Sequence, residues 1–211
     1  MIPILVSQRL MEVEEYGETR EELDIRWGGF LSQCGLLPVP VPLKANMEKY
    51  FDLIKPHGIL LTGGNNLQCM NPNDPLSRVR DDFEFELIDR GIKKQLPIVG
   101  VCRGMQMIAH YFGLSITKCS GHVGKSHPIK VNPNTMVGRF FELNSTVNSY
   151  HNFCISNNSE KFVTSAKMLD DEVIEGIEHI KQKIIGIMWH PERVDGFLSR
   201  DIKLFQYFFF N

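Results

Sequence analysis

The sequence lacks the features of a membrane protein, a secreted protein or a nucleic-acid-binding protein. No apolar run approaches the ~18 to 20 residues of a membrane helix. The first residues, MIPILVSQRL, carry too short an apolar run and no preceding basic region, so we expect no signal peptide. Lysine and arginine number 23 against 25 aspartates and glutamates, so the net charge of -2 offers no basic surface to nucleic acid. We therefore expect a cytoplasmic protein whose partners are neither nucleic acids nor membranes.

Cysteine is scarce and scattered. The five cysteines, at positions 34, 69, 102, 119 and 154, never form a C-x-x-C pair. We therefore expect no structural zinc site or disulfide framework, and a reducing compartment fits best. With 211 residues and 43% hydrophobic composition, the chain is long enough for one sizeable core. Because repeats and linkers are absent from the sequence, we predict a single domain over residues 1–211; a homodimer is compatible with it.

The stretch PIVGVCRGMQMIAHYFG, residues 97–113, changes its hydrophobic period at Cys102. The β-branched run before the cysteine predicts a buried strand, and the apolar residues after it recur at helical spacing. Gly100 and Gly104 flank the cysteine, as in the G-x-S-x-G turn that exposes a nucleophile between strand and helix. A helix N-terminus also favours a thiolate. Cys102 is therefore predicted to be a nucleophile, although most single cysteines are simply buried.

A second motif offers a base for this nucleophile. A predicted strand over residues 183–188 leads into His190-Pro191-Glu192. His190 should therefore project from the carboxyl end of a strand, the edge where open α/β sheets bind ligands. Glu192 is close enough to hydrogen-bond one imidazole nitrogen while the other faces Cys102. Alone, a histidine and a glutamate in a loop are more often solvated than catalytic; together with the cysteine they predict a Cys-His-Glu triad.

The order of the predicted elements indicates an α/β fold. In the first half, apolar strands alternate with amphipathic helices and glycine turns, which predicts a three-layer sandwich around a mostly parallel central sheet. The second half predicts a small antiparallel extension, with its last strand rejoining the main sheet. The proline-rich strand 37–41 should be an edge strand. Predicted strands cover residues 2–6, 37–41, 58–61, 98–101, 116–117, 127–131, 137–140, 146–150, 162–167, 173–177 and 183–188, and predicted helices lie around 23–34, 47–54, 80–94, 103–112 and 195–210.

Three blocks resemble the signature motifs of class I glutamine amidotransferases. They are Thr-Gly-Gly at 62–64, Gly-Val-Cys-Arg-Gly-Met-Gln at 100–106 and His-Pro-Glu at 190–192, in the order and spacing of that superfamily. Cys-Arg-Gly rather than Cys-Leu-Gly is similar to the γ-glutamyl-γ-aminobutyrate hydrolase-like branch, as are residues 80–84 and 147–151. The resemblance implies a flavodoxin-like glutamine amidotransferase fold. It also implies a free-standing hydrolase of a small γ-glutamyl conjugate, needing no metal and no cofactor.

The resemblance also implies a role for each motif position. Cys102 would attack the γ-carbonyl to form a thioester, His190 would shuttle the proton, and Glu192 would orient His190. The backbone N–H groups that would form the oxyanion hole belong to Arg103 and to Gly63 or Gly64. The glutamyl α-amino and α-carboxylate groups would be held by Gln106 and by the segment Ser149, Tyr150, His151 and Asn152. Where the branch usually continues His-Gln after His151, this chain has Asn152-Phe153.

The leaving group is not determined by the triad. Residues 16–27 follow the first strand and offer Tyr16, Arg20 and Arg26 to an anionic, phosphate-bearing leaving group. The same residues could equally form a solvated helix face with pairs such as Glu22–Arg26. Lys125, His127 and Arg78 are weaker candidates. A γ-glutamyl-polyamine or γ-glutamyl-γ-aminobutyrate hydrolase, and the glutaminase subunit of a two-protein amidotransferase, remain alternatives.

Overall fold

The computed structural model describes residues 1–157 and 159–211, and within them a long mixed sheet dominates the fold. The strands are β1 (Ile2–Val6), β2 (Arg9–Val13), β3 (Glu18–Glu22), β4 (Leu36–Pro40), β5 (Ile59–Leu61), β6 (Ile98–Val101), β7 (Ile116–Lys118), β8 (Val123–Val131), β9 (Asn144–Tyr150), β10 (Phe153–Ile155), β11 (Phe162–Met168), β12 (Ile174–His179) and β13 (Ile184–Ile187). The helices are α1 (Arg26–Gln33), α2 (Met47–Ile54), α3 (Pro75–Lys93), α4 (Arg103–Tyr111) and α5 (Ser199–Phe210).

The main sheet has the strand order β4-β1-β5-β6-β13-β12-β11-β8-β9. Strands β4, β1, β5, β6 and β13 are parallel, and β12, β11, β8 and β9 continue the sheet in antiparallel pairing. The predicted parallel core with an antiparallel extension is therefore confirmed. Strand β13 rejoins the main sheet, as predicted for the last strand, and lies beside β6; the proline-rich β4 is at the edge, as predicted. The ends of β6 and β13 consequently lie side by side, which brings the regions of Cys102 and His190 together.

Side chains alternate between the two faces of the parallel strands and so build a core on each side. Ile4 and Val6 of β1 pack in one cluster with the aromatic side chains of α1 and α5. Leu5 points the other way, into a cluster shared with α2, α3 and α4. This alternation with a period of two is what a strand buried on both faces requires. The molecule therefore has the three layers that the sequence predicts.

Two local predictions are wrong for identifiable reasons. Residues 137–140, predicted as a strand, contain the short 3-10 helix Val137–Arg139. The backbone N–H groups of Met136 and Val137 donate to the carboxylate of Glu178 at 2.8 and 2.9 Å, which stabilises a turn rather than a ladder. Helix α3 begins at Pro75, five residues before the predicted start, because the side chain of Asp74 accepts a hydrogen bond from Leu76 N–H at 3.0 Å and caps the helix.

The hairpin of β2 and β3 was not predicted. Its strands pair antiparallel from Arg9 opposite Glu22 to Val13 opposite Glu18, and most of its side chains are exposed. The side chain of Asn65, in the loop after β5, accepts from Leu10 N–H at 2.8 Å and donates to Leu10 C=O at 2.9 Å. These two bonds resemble a strand pairing and attach the hairpin to the loop that carries the Thr-Gly-Gly motif. Among the helices of the described residues, none is both long enough and apolar enough to cross a membrane.

Candidate active site

Cys102 occupies a strained turn between β6 and α4. Its backbone has φ 53° and ψ -107°, a conformation that non-glycine residues rarely adopt and that is typical of functional positions. The turn is tight enough that a β-carbon on Gly100 would lie 2.5 Å from the backbone of Gly104, and one on Gly104 would lie 2.2 Å from the carbonyl oxygen of Leu61. The two glycines therefore allow α4 to start directly against the sheet. Cys102 itself is 7% exposed.

His190 follows β13 and is fixed on both sides of its backbone. Its N–H donates to Oδ1 of Asn148 at 2.7 Å, and Nδ2 of Asn148 donates to its carbonyl oxygen at 2.8 Å. The imidazole Nδ1 lies 2.7 Å from Oε1 of Glu192, so the proton on Nδ1 is directed to the carboxylate. A β-carbon built on Gly63 would lie 3.7 Å from both Nε2 of His190 and the β-carbon of Cys102. The cysteine and the free imidazole edge therefore meet over Gly63.

The surroundings of His190 favour its protonated form. Burial acts to lower the pKa of the imidazole, but the neighbouring sulfur of Cys102 and the carboxylate of Glu192 outweigh it and raise the pKa to about 9. His190 and Glu192 are each 1% exposed, so water weakens neither interaction. At neutral pH the imidazole is therefore protonated on both nitrogens and positively charged beside the sulfur, an arrangement suited to general acid catalysis.

A buried ion network connects the Cys102 turn with the Thr-Gly-Gly loop. Arg80, on α3, donates from its guanidinium to the carbonyl oxygens of residues 62, 63 and 64 at 2.8 to 3.0 Å. Its Nε donates to Glu84 at 3.0 Å, and the same carboxylate pairs with Arg103, the first residue of α4. Arg103 also pairs with Asp81. Because C=O and the following N–H point in opposite directions across a planar peptide, the N–H groups of residues 63 and 64 are turned away from Arg80.

Two members of this network, Arg80 and Glu84, remain charged in the interior. Burial lowers the pKa of Arg80 to about 10, which still leaves the guanidinium protonated at neutral pH. Burial also opposes ionisation of Glu84, but Arg103 and Arg80 outweigh it and lower the pKa of that carboxyl. From the sequence, residues 80–84 were noted only as similar to the γ-glutamyl-γ-aminobutyrate hydrolase-like branch, and no role was predicted for them. The sequence signal for this ion pair was the spacing of Arg80 and Glu84, which are four residues apart on a helix that also carries apolar positions.

A pocket of about 260 Å³ opens beside His190 and the Thr-Gly-Gly loop. Its lining includes two arginines, Arg9 and Arg193, and two acidic residues, Glu22 and Asp24. Arg9 pairs with Glu22 across the hairpin at 2.7 Å. The complete lining consists of Arg9, Glu22, Leu23, Asp24, Ile25, Trp27, Thr62, Gly63, Gly64, His190, Glu192 and Arg193. The wall is therefore charged in both signs, and its arginines come from the hairpin and from the segment after His190.

Comparison with known proteins shows that residues 1–192 match the peptidase C26 family. The chain belongs to this family. It is 36% identical over 195 residues to the γ-glutamyl-CDP-amidate hydrolase of Campylobacter jejuni, an alignment that covers 90% of each protein. The family and this relative support a hydrolase that acts on a carbon–nitrogen amide bond.

Two crystal structures share the fold of this peptidase C26 member. One is a candidate GMP synthase component from Thermoplasma acidophilum, with a TM-score of 0.75, 22% identity and coverage of 99% of this chain and 94% of that one. The other is a glutamine amidotransferase from Thermotoga maritima, with a TM-score of 0.68, 20% identity and coverage of 98% and 83%. At these identities the likeness concerns the fold, which agrees with the mostly parallel sheet predicted from the sequence.

The residues predicted to receive the leaving group do not line the pocket of this peptidase C26 member. Tyr16 lies at the tip of the hairpin and is 61% exposed, and Arg20 lies over its ring while pairing with Glu18 at 2.7 Å. Arg26, at the start of α1, pairs with Asp24 at 2.6 Å. The first part of residues 16–27 belongs to a hairpin and not to a helix. The side chains of Tyr16, Arg20 and Arg26 therefore do not share the one face that helical spacing would give them. Arg9 and Arg193, which were not predicted, face the pocket instead.

Part of the predicted glutamyl-binding segment lies next to His190. The ring of Tyr150 is 5.6 Å from the imidazole in an edge-to-face arrangement, and the guanidinium of Arg193 lies 4.8 Å from the same ring. Gln106, one turn into α4, donates its amide to the carbonyl of Phe153 at 2.9 Å. Gln106 therefore links the helix of the cysteine turn to β10.

The other residues of the predicted glutamyl-binding segment are Ser149, His151 and Asn152, and their side chains do not contact His190. Ser149 is fully buried and donates to the carbonyl oxygen of His122 at 2.6 Å. His151 is 3% exposed, and its Nε2 lies 3.2 Å from Glu175. Asn152 is exposed. In this part of the segment, only the backbone and the Asn152 side chain remain available to a ligand, and the assignment of these residues to substrate binding stays a prediction.

Proposed function

We propose that this protein hydrolyses a γ-glutamyl amide bond, with Cys102 as nucleophile, His190 as proton carrier and Glu192 as its orienting carboxylate. One observation carries the proposal: a strained cysteine at a helix N-terminus faces a histidine whose second nitrogen is 2.7 Å from a buried carboxylate. This is the arrangement of nucleophile, base and orienting group that acyl transfer requires.

In the first half-reaction Cys102 reacts as its thiolate, with the proton held by His190, and the sulfur attacks the γ-carbonyl carbon. A carbon–sulfur bond forms, and the carbonyl oxygen becomes an oxyanion. The N–H groups of Arg103 and of Gly63 or Gly64 would donate to this oxygen. Arg80 supports the proposal because it binds the carbonyl oxygens of the Gly63–Gly64 loop and so leaves the N–H groups free to face the site.

The tetrahedral intermediate then collapses with loss of the amide nitrogen. His190 gives its proton to that nitrogen, the carbon–nitrogen bond breaks, and a γ-glutamyl thioester remains on Cys102. Neutral His190 next takes a proton from water, and the water oxygen attacks the thioester carbon. The carbon–sulfur bond breaks, glutamate leaves, and the thiolate of Cys102 is restored beside protonated His190. The raised pKa of His190 suits the first of these steps, because the acid is already charged at neutral pH.

We place the leaving group in the pocket beside His190 and infer that it carries phosphate, as in γ-glutamyl-CDP-amidate. Arg9 and Arg193 support this choice, since guanidinium groups bind phosphate oxygens in bidentate fashion. The similarity to the Campylobacter jejuni hydrolase over 90% of both chains supports it independently.

A second candidate is a γ-glutamyl conjugate of a polyamine or of γ-aminobutyrate. Glu22 and Asp24 in the same lining favour the polyamine, because its free amine is cationic and would pair with them. The phosphate-bearing and polyamine leaving groups differ in the sign of the charge that the pocket must hold, whereas γ-aminobutyrate carries a carboxylate.

The experiment is a glutamate-release assay with four compounds. These are the γ-glutamyl conjugates of CDP-amidate, putrescine and γ-aminobutyrate, together with glutamine. We expect the highest kcat/KM with the CDP-amidate conjugate. Preference for the putrescine conjugate would replace the first candidate with the second, and turnover of glutamine appearing only with a partner protein would indicate a glutaminase subunit. Equal turnover of all four would contradict any leaving-group selectivity.

Variants separate the chemistry from the substrate choice. Cys102→Ser should abolish release from every compound, whereas Cys69→Ser, at an exposed cysteine, should leave it unchanged; full activity of Cys102→Ser would overturn the mechanism. Arg9→Gln and Arg193→Gln should raise KM for the CDP-amidate conjugate and leave that for glutamine unchanged. Arg78→Gln, at an exposed arginine on α3, is the matched control. A cytoplasmic location and a homodimer remain predictions.

A further inference from the structure

Four buried side chains meet in the antiparallel part of the sheet, and the proposed reaction uses none of them. His122 precedes β8, His127 lies in β8, His151 follows β9 and Glu175 lies in β12. They are 1%, 5%, 3% and 0% exposed. One potential ligand atom from each lies within 4.8 Å of every other. Three histidines and a glutamate thus converge from separate parts of the sequence.

The three imidazoles surround one carboxylate oxygen. Oε1 of Glu175 lies 3.5 Å from Nδ1 of His122, 3.6 Å from Nε2 of His127 and 3.2 Å from Nε2 of His151. Bonds of about 2.0–2.1 Å to a tetrahedral zinc ion would separate neighbouring ligand atoms by about 3.3 Å. The carboxylate oxygen therefore lies at about this separation from each of the three nitrogens, and the four potential ligand atoms all lie within 4.8 Å of one another.

Hydrogen bonding alone does not account for this arrangement. Among the described residues, Nδ1 of His122, both ring nitrogens of His127 and Oε2 of Glu175 are buried without a hydrogen-bond partner. A carboxylate oxygen has two lone pairs, so it cannot accept well-formed bonds from three imidazoles at once. Buried polar atoms that lack partners are rare and destabilising. A cation among them would satisfy the inward nitrogens and the carboxylate together.

In His122 and His151, the ring nitrogen that faces away from Glu175 has a hydrogen-bond acceptor, so the lone pair of the other nitrogen points toward Glu175. Nε2 of His122 lies 2.9 Å from Oδ2 of Asp171, and Nδ1 of His151 lies 3.2 Å from the carbonyl oxygen of Phe153. Each outer nitrogen thereby holds a proton, and the inner nitrogen is the one that can offer its lone pair to a metal ion. Histidines that bind metals make this type of outer contact to a carboxylate or a carbonyl. The carboxylates of Glu175 and Asp171 also balance the charge of a divalent cation.

We propose that His122, His127, His151 and Glu175 bind one divalent transition-metal ion, with zinc as the ion that this donor set favours. Imidazole and carboxylate ligands in a four-coordinate arrangement suit zinc. Because the protein supplies all four ligands, no position is open to a substrate, and the ion is structural. It joins β8 and β12 to the segment that follows Tyr150. This site departs from the expectation of no metal and of no structural zinc site, which rested on the resemblance and on the absence of paired cysteines.

The first test is the metal content of protein without a histidine tag. Elemental analysis should find about one zinc per chain after purification without chelator. Treatment with a chelator and readdition of Zn²⁺ at about a hundred times its dissociation constant should raise Tm by about 5–10 °C for a chain of this size. Co²⁺ in place of Zn²⁺ should give the intense visible absorption of a tetrahedral site. Protein with negligible zinc, no Tm shift and no Co²⁺ band would overturn the proposal.

Variants locate the ion. His127→Gln and Glu175→Gln, the second of which keeps the shape of the side chain, should each reduce zinc content and Co²⁺ absorption several-fold. His57→Gln, at an exposed histidine on another part of the surface, should leave both unchanged. Cys102→Ala should also retain the ion, which separates this site from the proposed triad. Unaltered metal content in both cluster variants, or loss of the ion in Cys102→Ala, would contradict the assignment.

Discussion

Replacement of Arg80 by lysine tests whether the buried network orients the oxyanion hole. The lysine keeps the positive charge but has a single ammonium in place of the planar guanidinium. In the native protein the guanidinium binds three consecutive carbonyl oxygens of residues 62–64 as well as Glu84. One ammonium cannot reach all of these acceptors, so part of the loop loses its anchor.

The expected loss of stability follows from the burial of Arg80. Its side chain and that of Glu84 are 0% exposed, and removing one partner of a fully buried pair typically costs about 3–5 kcal/mol. Because lysine keeps the charge, this cost is the upper limit for Arg80→Lys, and for a chain of this size it corresponds to a fall in Tm of at most about 20 °C. If a single oxyanion donor is also misplaced, kcat should fall by about 10²–10³ while KM changes little.

The assay measures kcat and KM for glutamate release at a temperature where circular dichroism shows the variant to be folded. Arg78→Lys is the matched control, because Arg78 is on the same helix but its side chain is 68% exposed. Its effect on stability should stay within about 0.5 kcal/mol. If Arg80→Lys lowers Tm but keeps kcat within about twofold of the native protein, Arg80 stabilises the fold without orienting the oxyanion hole. That result would refute the reasoning.

Three further predictions concern the site itself. Because the pKa of His190 in the free protein is raised to about 9, its proton is held below that pH and lost above it, so kcat/KM should fall as pH rises through about 9; a profile of kcat/KM that stays flat to about pH 10 would contradict this. Gly104→Ala places a methyl group 2.2 Å from the carbonyl oxygen of Leu61, so thermal melts should show a Tm lower by several degrees, and an unchanged Tm would mean that the turn is less tight than described. Asn148→Ala removes both bonds to the backbone of His190 and should lower kcat about tenfold or more in the release assay, whereas native activity would show that β13 alone positions the histidine.

The parts of the fold and site that could be predicted are those with local signals. The change of period at Cys102 and the glycines around it are read within a few residues, and they predicted the strand, the turn and the helix where the structure has them. The His190-Pro191-Glu192 spacing predicted the contact of imidazole and carboxylate for the same reason. Strand β13 was placed correctly because the chain must return to the parallel sheet to bring His190 near Cys102.

The parts that could not be predicted depend on contacts between distant residues. The hairpin of β2 and β3 has mostly charged side chains, so it lacks the alternation of polar and apolar residues that marks a half-buried strand. Its position depends on Asn65, which lies 55 residues along the chain from Leu10 and which no local pattern indicates. The cluster of His122 and Glu175 likewise arises only when β8 and β12 are brought together by β11.

The attachment of the hairpin has an evolutionary consequence. The hairpin supplies Arg9 and Glu22 to one side of the pocket, yet few of its side chains enter the core, and Asn65 holds it through two bonds to the backbone of Leu10. Its pocket-facing residues are therefore free to diverge without disturbing the buried network behind Cys102. If this pocket holds the leaving group as proposed, selection can change the leaving group by altering the hairpin while the proposed triad is inherited intact.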